Sequence, residues 1–275
     1  MECKIKDLSI HYEIIGEGKP IVMIHGYSVD HRIMTGCMEP IFQMKNNYKR
    51  IYFDLPGMGK SGSADWITDS DKMLDIVMEL IEKIIPNENF LLAGQSYGGY
   101  LARGIVNKMA ERVDGLVLIG PMILPDFDKR MLPEFVVLQR DSQLLSQLTS
   151  EQAEDFGENI VVQSARNFKK YKSEVLSGIE IANSCFLQTL RKNGYSFSFT
   201  VDDLNEKFAK PALILTGRQD GDVGYRDAFD ILENYPRATF AILDGTGHNL
   251  QIEQEGVFQS LMNEWLVRVS KLSVS

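Results

Sequence analysis

The segment Gly94-Gln95-Ser96-Tyr97-Gly98 sets a serine between two glycines. The apolar run Phe90-Leu91-Leu92-Ala93 precedes it, and small residues able to start a helix follow. A strand, a sharp turn and a helix in that order hold a serine hydroxyl exposed at the strand end. Gly94 and Gly98 leave space where side chains would collide. The hydroxyl is a weak nucleophile until a base removes its proton. Of the four histidines, His11 falls in a first hairpin and reads as a surface residue. His25 follows a strand and precedes Gly26, which gives it a structural role. His31 opens what reads as a surface helix. His248 differs, because it ends the loop Asp244-Gly245-Thr246-Gly247-His248 just past the last apolar strand. A catalytic imidazole needs a carboxylate that fixes its tautomer and stabilises its charged form. Asp220 follows Leu215-Thr216-Gly217-Arg218-Gln219, with Asp222 as a close rival and Asp244 as a distant one.

These residues share an edge only if the chain folds as alternating strands and helices. Residues 2–15 alternate loosely between apolar and polar positions and predict two short antiparallel strands. After the turn Gly16-Glu17-Gly18-Lys19-Pro20, the run Ile21-Val22-Met23-Ile24 suits a strand buried on both faces. Arg50-Ile51-Tyr52-Phe53 predicts another strand. Met73, Ile76, Val77, Leu80, Ile81 and Ile84 keep one apolar stripe at helical spacing, and Pro86 ends it. The strand Phe90–Ala93, a helix over 99–112 and the strand Leu116–Ile119 continue the rhythm. Repeated units of this kind predict a mainly parallel sheet covered by helices. From Leu124 to Phe208 the rhythm stops, and segments 131–148 and 173–192 read as helices. A structureless loop of that length is implausible in a compact domain, so an inserted helical subdomain is expected. Strands resume at Ala212–Leu215 and Thr239–Leu243, with a helix near 225–234 between them. A last helix near 254–270 carries Val257, Leu261, Trp265 and Val269. Open parallel sheets gather functional loops at the C-terminal ends of their strands, and the loops of Ser96 and His248 both leave such ends.

With these positions in order along the chain, the sequence resembles the α/β-hydrolase family. The resemblance is carried by Gly26 after His25, by Asp54-Leu55-Pro56-Gly57-Met58-Gly59-Lys60-Ser61, by Gly94 to Gly99, by Gly217-Arg218-Gln219-Asp220 and by Gly247-His248, and spans nearly the whole chain. It implies an α/β fold, a mainly parallel eight-stranded sheet flanked by helices. It further implies a core of residues 1–122 and 208–275 around a helical cap, 123–207. Ser96 is then the nucleophile, His248 the base and Asp220 the acid, and the family's Gly-Arg-x-Asp pattern favours Asp220 over Asp222. The oxyanion hole falls to the backbone N–H groups of Tyr27 and Tyr97. The implied activity is hydrolysis of a small-molecule carboxylic ester, or a similar acyl bond, through an acyl-Ser96 intermediate. Prolyl-type aminopeptidases, C–C bond hydrolases and lactonases run on the same triad. Related dehalogenases and epoxide hydrolases carry an aspartate where Ser96 stands, which disfavours those activities. The His-Gly-Gly-Pro stretch typical of the aminopeptidases is missing, since Tyr27 follows Gly26. Some relatives keep the fold and even the triad yet act as ligand receptors without turnover.

Composition narrows the partners. The chain of 275 residues is long enough for one large domain with an insertion. A net charge of −9 and no basic cluster beyond Lys169-Lys170 argue against a nucleic-acid partner. Cys3, Cys37 and Cys185 are far apart and form no CxxC, which fits neither a disulfide framework nor a zinc site and suits a cytoplasmic protein. The opening MECKIKDLSIHYEII has no apolar leader, and no run approaches the roughly 18 apolar residues of a membrane span. Gly59-Lys60-Ser61 imitates the end of a P-loop, but Asp54 stands where the first glycine is required and Pro56 removes an N–H from the cradle. No HExxH, DxDxDG or GxGxxG pattern has a supporting context, so neither a metal nor a dinucleotide cofactor is expected. In the cap, Met131, Leu132, Phe135, Val136, Leu138 and Phe186 are expected either to roof an apolar acyl pocket or to pack the cap onto the core. The run Glu151-Gln152-Ala153-Glu154-Asp155 reads as a solvated helix face, with capture of a peptide amino terminus as its alternative.

Overall fold

A computed structural model describes residues 1–272. Its elements run β1 (Glu2–Ile5), β2 (Leu8–Ile15), β3 (Lys19–Ile24), α1 (Arg32–Phe42), β4 (Tyr48–Phe53), α2 (Ser70–Ile84), β5 (Phe90–Gln95), α3 (Tyr97–Met109) and β6 (Val113–Ile119). Then come α4 (Ser142–Leu145), α5 (Ser150–Asn159), α6 (Ala165–Tyr171), α7 (Ser177–Ile179) and α8 (Ser184–Gly194). The chain closes with β7 (Ala212–Gly217), α9 (Arg226–Asp230), β8 (Ala238–Leu243), α10 (Leu250–Glu253) and α11 (Glu255–Leu272). The strands form one eight-stranded sheet in the order β1-β2-β4-β3-β5-β6-β7-β8. β1 pairs antiparallel with β2 and β2 with β4, and all other neighbours are parallel.

The parallel strands read as unbroken apolar runs because both faces are covered. In β5, Phe90 and Leu92 pack with Leu74, Val77, Leu101 and Ile105 of α2 and α3. Leu91 and Ala93 point the other way, toward Met34 and Met38 of α1 and Phe258 and Trp265 of α11. The period of two along the strand thus splits one run between two helical layers. Asp69 caps α2 by accepting from the Lys72 N–H at 2.8 Å. The helix ends at Ile84, two residues before Pro86.

The last helix buries Trp265 and Val269 and packs Leu261 against the core, but leaves Val257 outside. Val257 is 43% exposed, whereas Phe258, Met262, Trp265, Leu266 and Val269 are buried. Residues 257, 261, 265 and 269 are four apart throughout and drift around the helix. The mixed three-and-four spacing of 258, 262, 265 and 269 stays on one face. Trp265 fixes that face by donating its indole N–H to the Pro211 carbonyl at 3.1 Å.

Between β6 and β7 the chain is helical, over most of 173–192 as the spacing places it but not over most of 131–148. Residues 131–141 are irregular. Pro133 cannot donate, and the backbone there pairs outward: the Leu138 and Gln139 N–H groups donate to the Val161 carbonyl, and Gln163 N–H to the Gln139 carbonyl. Segment 173–192 is broken at Asn183, whose side chain caps α8 and whose N–H donates to the Gly57 carbonyl. Two further helices lie outside those segments, α5 on the acidic run already read as a helix face and α6 unforeseen. α5 begins with a capping box of Thr149 and Gln152, and Ser164 caps α6. Arg103 of α3 ties both ends of this stretch to the core. Its guanidinium is fully buried, donates to the Met122 and Ile123 carbonyls at 2.9 and 3.3 Å, and pairs with Asp202. Among the described residues, no helix is long and apolar enough to cross a membrane.

Candidate active site

The residues singled out by the sequence leave the C-terminal ends of four parallel strands. Tyr27 follows β3, Ser96 follows β5, Asp220 follows β7 and His248 follows β8. Ser96 takes φ 52° and ψ −117°, a conformation that L-residues rarely adopt. The turn is held by the Ser96 N–H donating to the Ile119 carbonyl at 3.0 Å and by the Ser96 carbonyl accepting from Met122 and Tyr100. It is also tight. A Cβ on Gly94 would lie 2.3 Å from the Gly98 carbonyl oxygen, and one on Gly98 would lie 2.3 Å from that of Ile24.

Asp220 is fully buried, and its carboxylate is aimed by the backbone. Oδ1 accepts from the Asp222 and Val223 N–H groups at 2.9 and 3.0 Å. That leaves Oδ2 to accept from His248 Nδ1 at 3.0 Å. The rival Asp222 sits on the other side of the ring, 54% exposed, with Oδ2 3.5 Å from Nε2. Asp244 faces away and accepts from Gln219 Nε2 at 2.8 Å. Partial burial alone would lower the His248 pKa, but the carboxylates of Asp220 and Asp222 outweigh it and push it up to about 9. Nε2 is also met by the Gln95 amide nitrogen at 3.4 Å. Among the described residues no hydrogen bond joins Ser96 Oγ to His248, although both line one cavity. Such contacts commonly tighten only around substrate.

The two residues expected to supply the oxyanion amides, Tyr27 and Tyr97, lie at this edge. Tyr97 opens α3, and the first N–H groups of a helix have no carbonyl of their own helix to meet. Its ring is buried, and its hydroxyl lies 2.8 Å from Ser70 Oγ. Tyr27 lines the cavity, packs edge-on against Tyr97 and Tyr195, and donates its hydroxyl to the Leu187 carbonyl.

The cavity beside Ser96 measures about 210 Å³. Its walls include Arg130 and Arg191, and its roof comes from α5 to α8 with Asp155, Asn159 and Ile179. None of the six apolar residues named as a roof or as packing lines this cavity, and Phe186 and Phe135 take the packing role. Met131, Val136 and Leu138 are exposed. Phe186 covers Gly57, and Phe135 packs over Gly221 and Gly247. In α5 the acidic run divides: Glu151 and Glu154 are exposed, but Asp155 turns inward and accepts from the Tyr171 hydroxyl at 2.6 Å.

The other histidines are also placed. His25 is buried and structural. Nδ1 contacts the Gly26 carbonyl at 2.7 Å, and Nε2 accepts from the Leu55 N–H at 2.8 Å. His31 does precede α1, but it is not on the surface: it is buried, with Nδ1 2.7 Å from Asp54 Oδ1. His11 is half-buried beside it. Asp54 also accepts from the Lys60 N–H at 2.9 Å, so the loop that imitates a P-loop wraps a carboxylate.

Sequence reasoning missed Glu253. It is buried beneath the histidine loop, and burial pushes its carboxyl up to about 7 against the pull of three N–H donors. Oε1 accepts from Val161 and Val162 at 2.7 and 2.9 Å, and Oε2 from Gly247 at 2.7 Å. One carboxylate thus joins the inserted stretch to the residue before His248. In Glu253→Gln an amide NH₂ faces an N–H donor, and that donor loses its partner. The expected loss is about 1–3 kcal/mol of stability, read as a lower urea midpoint. An unchanged midpoint refutes this role.

With this geometry in view, the comparisons with known proteins are specific. The model of a family described as serine aminopeptidase, S33, matches residues 19–255. The chain is similar to a crystallised α/beta superfamily hydrolase from Oenococcus oeni PSU-1, with 30% identity, a TM-score of 0.88, and coverage of 98% of this chain and 99% of that one. It is 26% identical over 274 residues to a pimeloyl-[acyl-carrier protein] methyl ester esterase of Shewanella woodyi, covering 94% of this chain and 98% of that protein. A Legionella pneumophila protein of the same description is 24% identical over 268 residues, covering 94% of this chain and all of that one. The family match over most of the chain, together with the sheet order and the turn at Ser96, places this protein in the α/β-hydrolase family.

Proposed function

We propose that the protein hydrolyses a small carboxylic ester through an acyl enzyme on Ser96. The observation that carries this reading is the buried Asp220 carboxylate 3.0 Å from His248 Nδ1, on the sheet edge that presents Ser96. Ser96 Oγ attacks the ester carbonyl carbon while its proton passes to His248 Nε2. Asp220 holds the Nδ1–H and stabilises the imidazolium. The negative charge on the carbonyl oxygen rests on the Tyr27 and Tyr97 N–H groups, each worth about 3 kcal/mol in the transition state. The C–O bond then breaks, and the leaving alkoxide takes the proton from Nε2. Water attacks the acyl-Ser96 carbonyl with His248 as base, releasing the acid and restoring Ser96.

The cavity beside Ser96 suits a compact group, and Arg191 on its wall favours an ester that also carries an anion, whereas the Arg130 guanidinium is already taken up by Asp222 and the Leu124 and Pro125 carbonyls. The esterase descriptions of the Shewanella and Legionella relatives support the same bond type. The test is turnover of short p-nitrophenyl esters and of monomethyl esters of dicarboxylic acids, with labelling by a fluorophosphonate. Hydrolysis and labelling confined to Ser96 are expected. A protein that binds such esters without turnover or labelling is a receptor, and the proposal fails. Arg191→Gln is expected to raise KM severalfold for the anionic monoesters and to leave neutral esters unchanged. Equal effects on both refute the charge preference.

One observation favours a second reading. Asp155 lines the cavity and could accept the ammonium of a peptide amino terminus, in line with the family description. Release of p-nitroaniline from aminoacyl anilides, abolished in Asp155→Asn, would establish it over ester hydrolysis.

A further inference from the structure

Away from Ser96, three side chains converge on one point. We propose that His11 Nε2, His31 Nε2 and Glu13 Oε1 bind a divalent metal ion of the zinc class. His11 and Glu13 are two apart on β2 and so share a face of the strand. The β2–β4 register sets Tyr12 opposite Phe53, and the Asp54 N–H donates to the His11 carbonyl at 3.0 Å. That brings the end of β4 beside His11. His31, just before α1, lies over the same place, with the two imidazole centroids 5.6 Å apart.

The spacing matches a tetrahedral site. Ligands about 2.0–2.1 Å from zinc stand about 3.3–3.4 Å from one another. Glu13 Oε1 is 3.4 Å from His11 Nε2 and 3.5 Å from His31 Nε2, and the three residues each bring a ligand atom within 4.8 Å of the others. His31 is oriented for the task. Its Nδ1–H donates to Asp54 Oδ1 at 2.7 Å, which leaves the Nε2 lone pair facing Glu13. A carboxylate behind a ligating imidazole is the usual outer support of such sites. Asp54 is itself fixed by the His31 and Lys60 N–H groups, both at 2.9 Å. Glu13 is 39% exposed, so an ion can enter and a water can take the fourth position.

The neighbouring set of Asp30, His31 and Asp54 is a poorer candidate. Arg32 pairs with both Asp30 oxygens at 3.0 Å or less, and Asp54 already serves backbone and ring donors. None of His11, Glu13 and His31 lines the cavity at Ser96, so this site is separate from it. No contiguous motif announces it, because its ligands come from two segments of chain.

Calorimetric titration of the chelator-treated full chain with Zn²⁺ is expected to show one equivalent bound. Loss of a direct ligand costs more than loss of an outer support, which is worth about 10–100-fold. His11→Gln and Glu13→Gln should therefore each weaken binding by at least that factor, while Ser96→Ala and His248→Ala leave it unchanged. A second measurement needs no variant of the site. Zn²⁺ should shift the imidazole NMR signals of His11 and His31 and leave those of His25 and His248 in place. The proposal is overturned by no saturable binding, by binding that survives both glutamine variants, or by shifts confined to His248.

Discussion

Replacing Ser96 by alanine is expected to reduce ester hydrolysis by about ten-thousandfold or more and to abolish fluorophosphonate labelling. The loss belongs to chemistry and not to folding. Ser96 holds its turn through backbone N–H and C=O groups, which alanine keeps. Alanine also keeps the strained φ of 52°, so thermal stability should match that of the parent. Glycine at the same position removes the Cβ and with it strain of about 1–3 kcal/mol, partly offset by the freer unfolded chain. Ser96→Gly should thus be inactive yet at least as stable as Ser96→Ala. Turnover surviving in either variant would place the nucleophile elsewhere.

Asp220→Asn and Asp222→Asn are expected to part company. The asparagine at 220 can keep accepting from the Asp222 and Val223 N–H groups through its oxygen. It then turns an NH₂ toward His248 Nδ1, which forces the wrong tautomer. A fall of about ten-thousandfold in kcat follows. Asp222 acts differently, because it lies 3.5 Å from Nε2, the atom proposed to receive the Ser96 proton. His248 works as a base only when neutral, and its pKa stands at about 9. Below that pH the neutral fraction falls about tenfold per unit, so kcat/KM should rise with pH and level off only above 9. Removing the Asp222 charge lowers the pKa, shifts this limb to lower pH, and keeps or raises activity at pH 7. The sign for stability is the reverse. A histidine whose folded pKa is raised from 6.5 to about 9 contributes stability below 6.5 that is lost as pH rises toward 9. A pH profile of turnover for the three proteins, paired with urea melts, checks both. If Asp222→Asn loses turnover while Asp220→Asn keeps it, the acid is Asp222.

The sheet and its edge were legible because their causes are local. Unbroken apolar runs such as Ile21–Ile24 and Leu213–Leu215 mark strands covered on both faces, and the glycines around Ser96 mark a turn too tight for side chains. The choice between Asp220 and Asp222 rested on the Gly-Arg-x-Asp pattern alone, and the backbone donors that aim Asp220 at His248 add a reason that no spacing could show. His31 looked like a surface residue because nothing near it in sequence shows that Asp54, from another strand, folds over it. The inserted stretch was hardest. Its helices are short and divide their faces between cavity, core and solvent, so no single apolar stripe survives. The caps at Thr149 and Ser164 were readable in principle: the first bounds the helix that the acidic run suggested, and the second marks the one that was passed over.

The buried Arg103 closes a ring. It grips the chain at Met122 and Ile123, where the inserted stretch departs, and again at Asp202, just before it returns. The ends of some eighty residues are thereby pinned at one guanidinium on the helix that begins beside Ser96. A loop closed at its base can change length cheaply, since each doubling costs only about 0.6 kcal/mol of closure entropy. The stretch over this edge can therefore change length at little cost in closure entropy, while the strand ends beneath it keep their spacing.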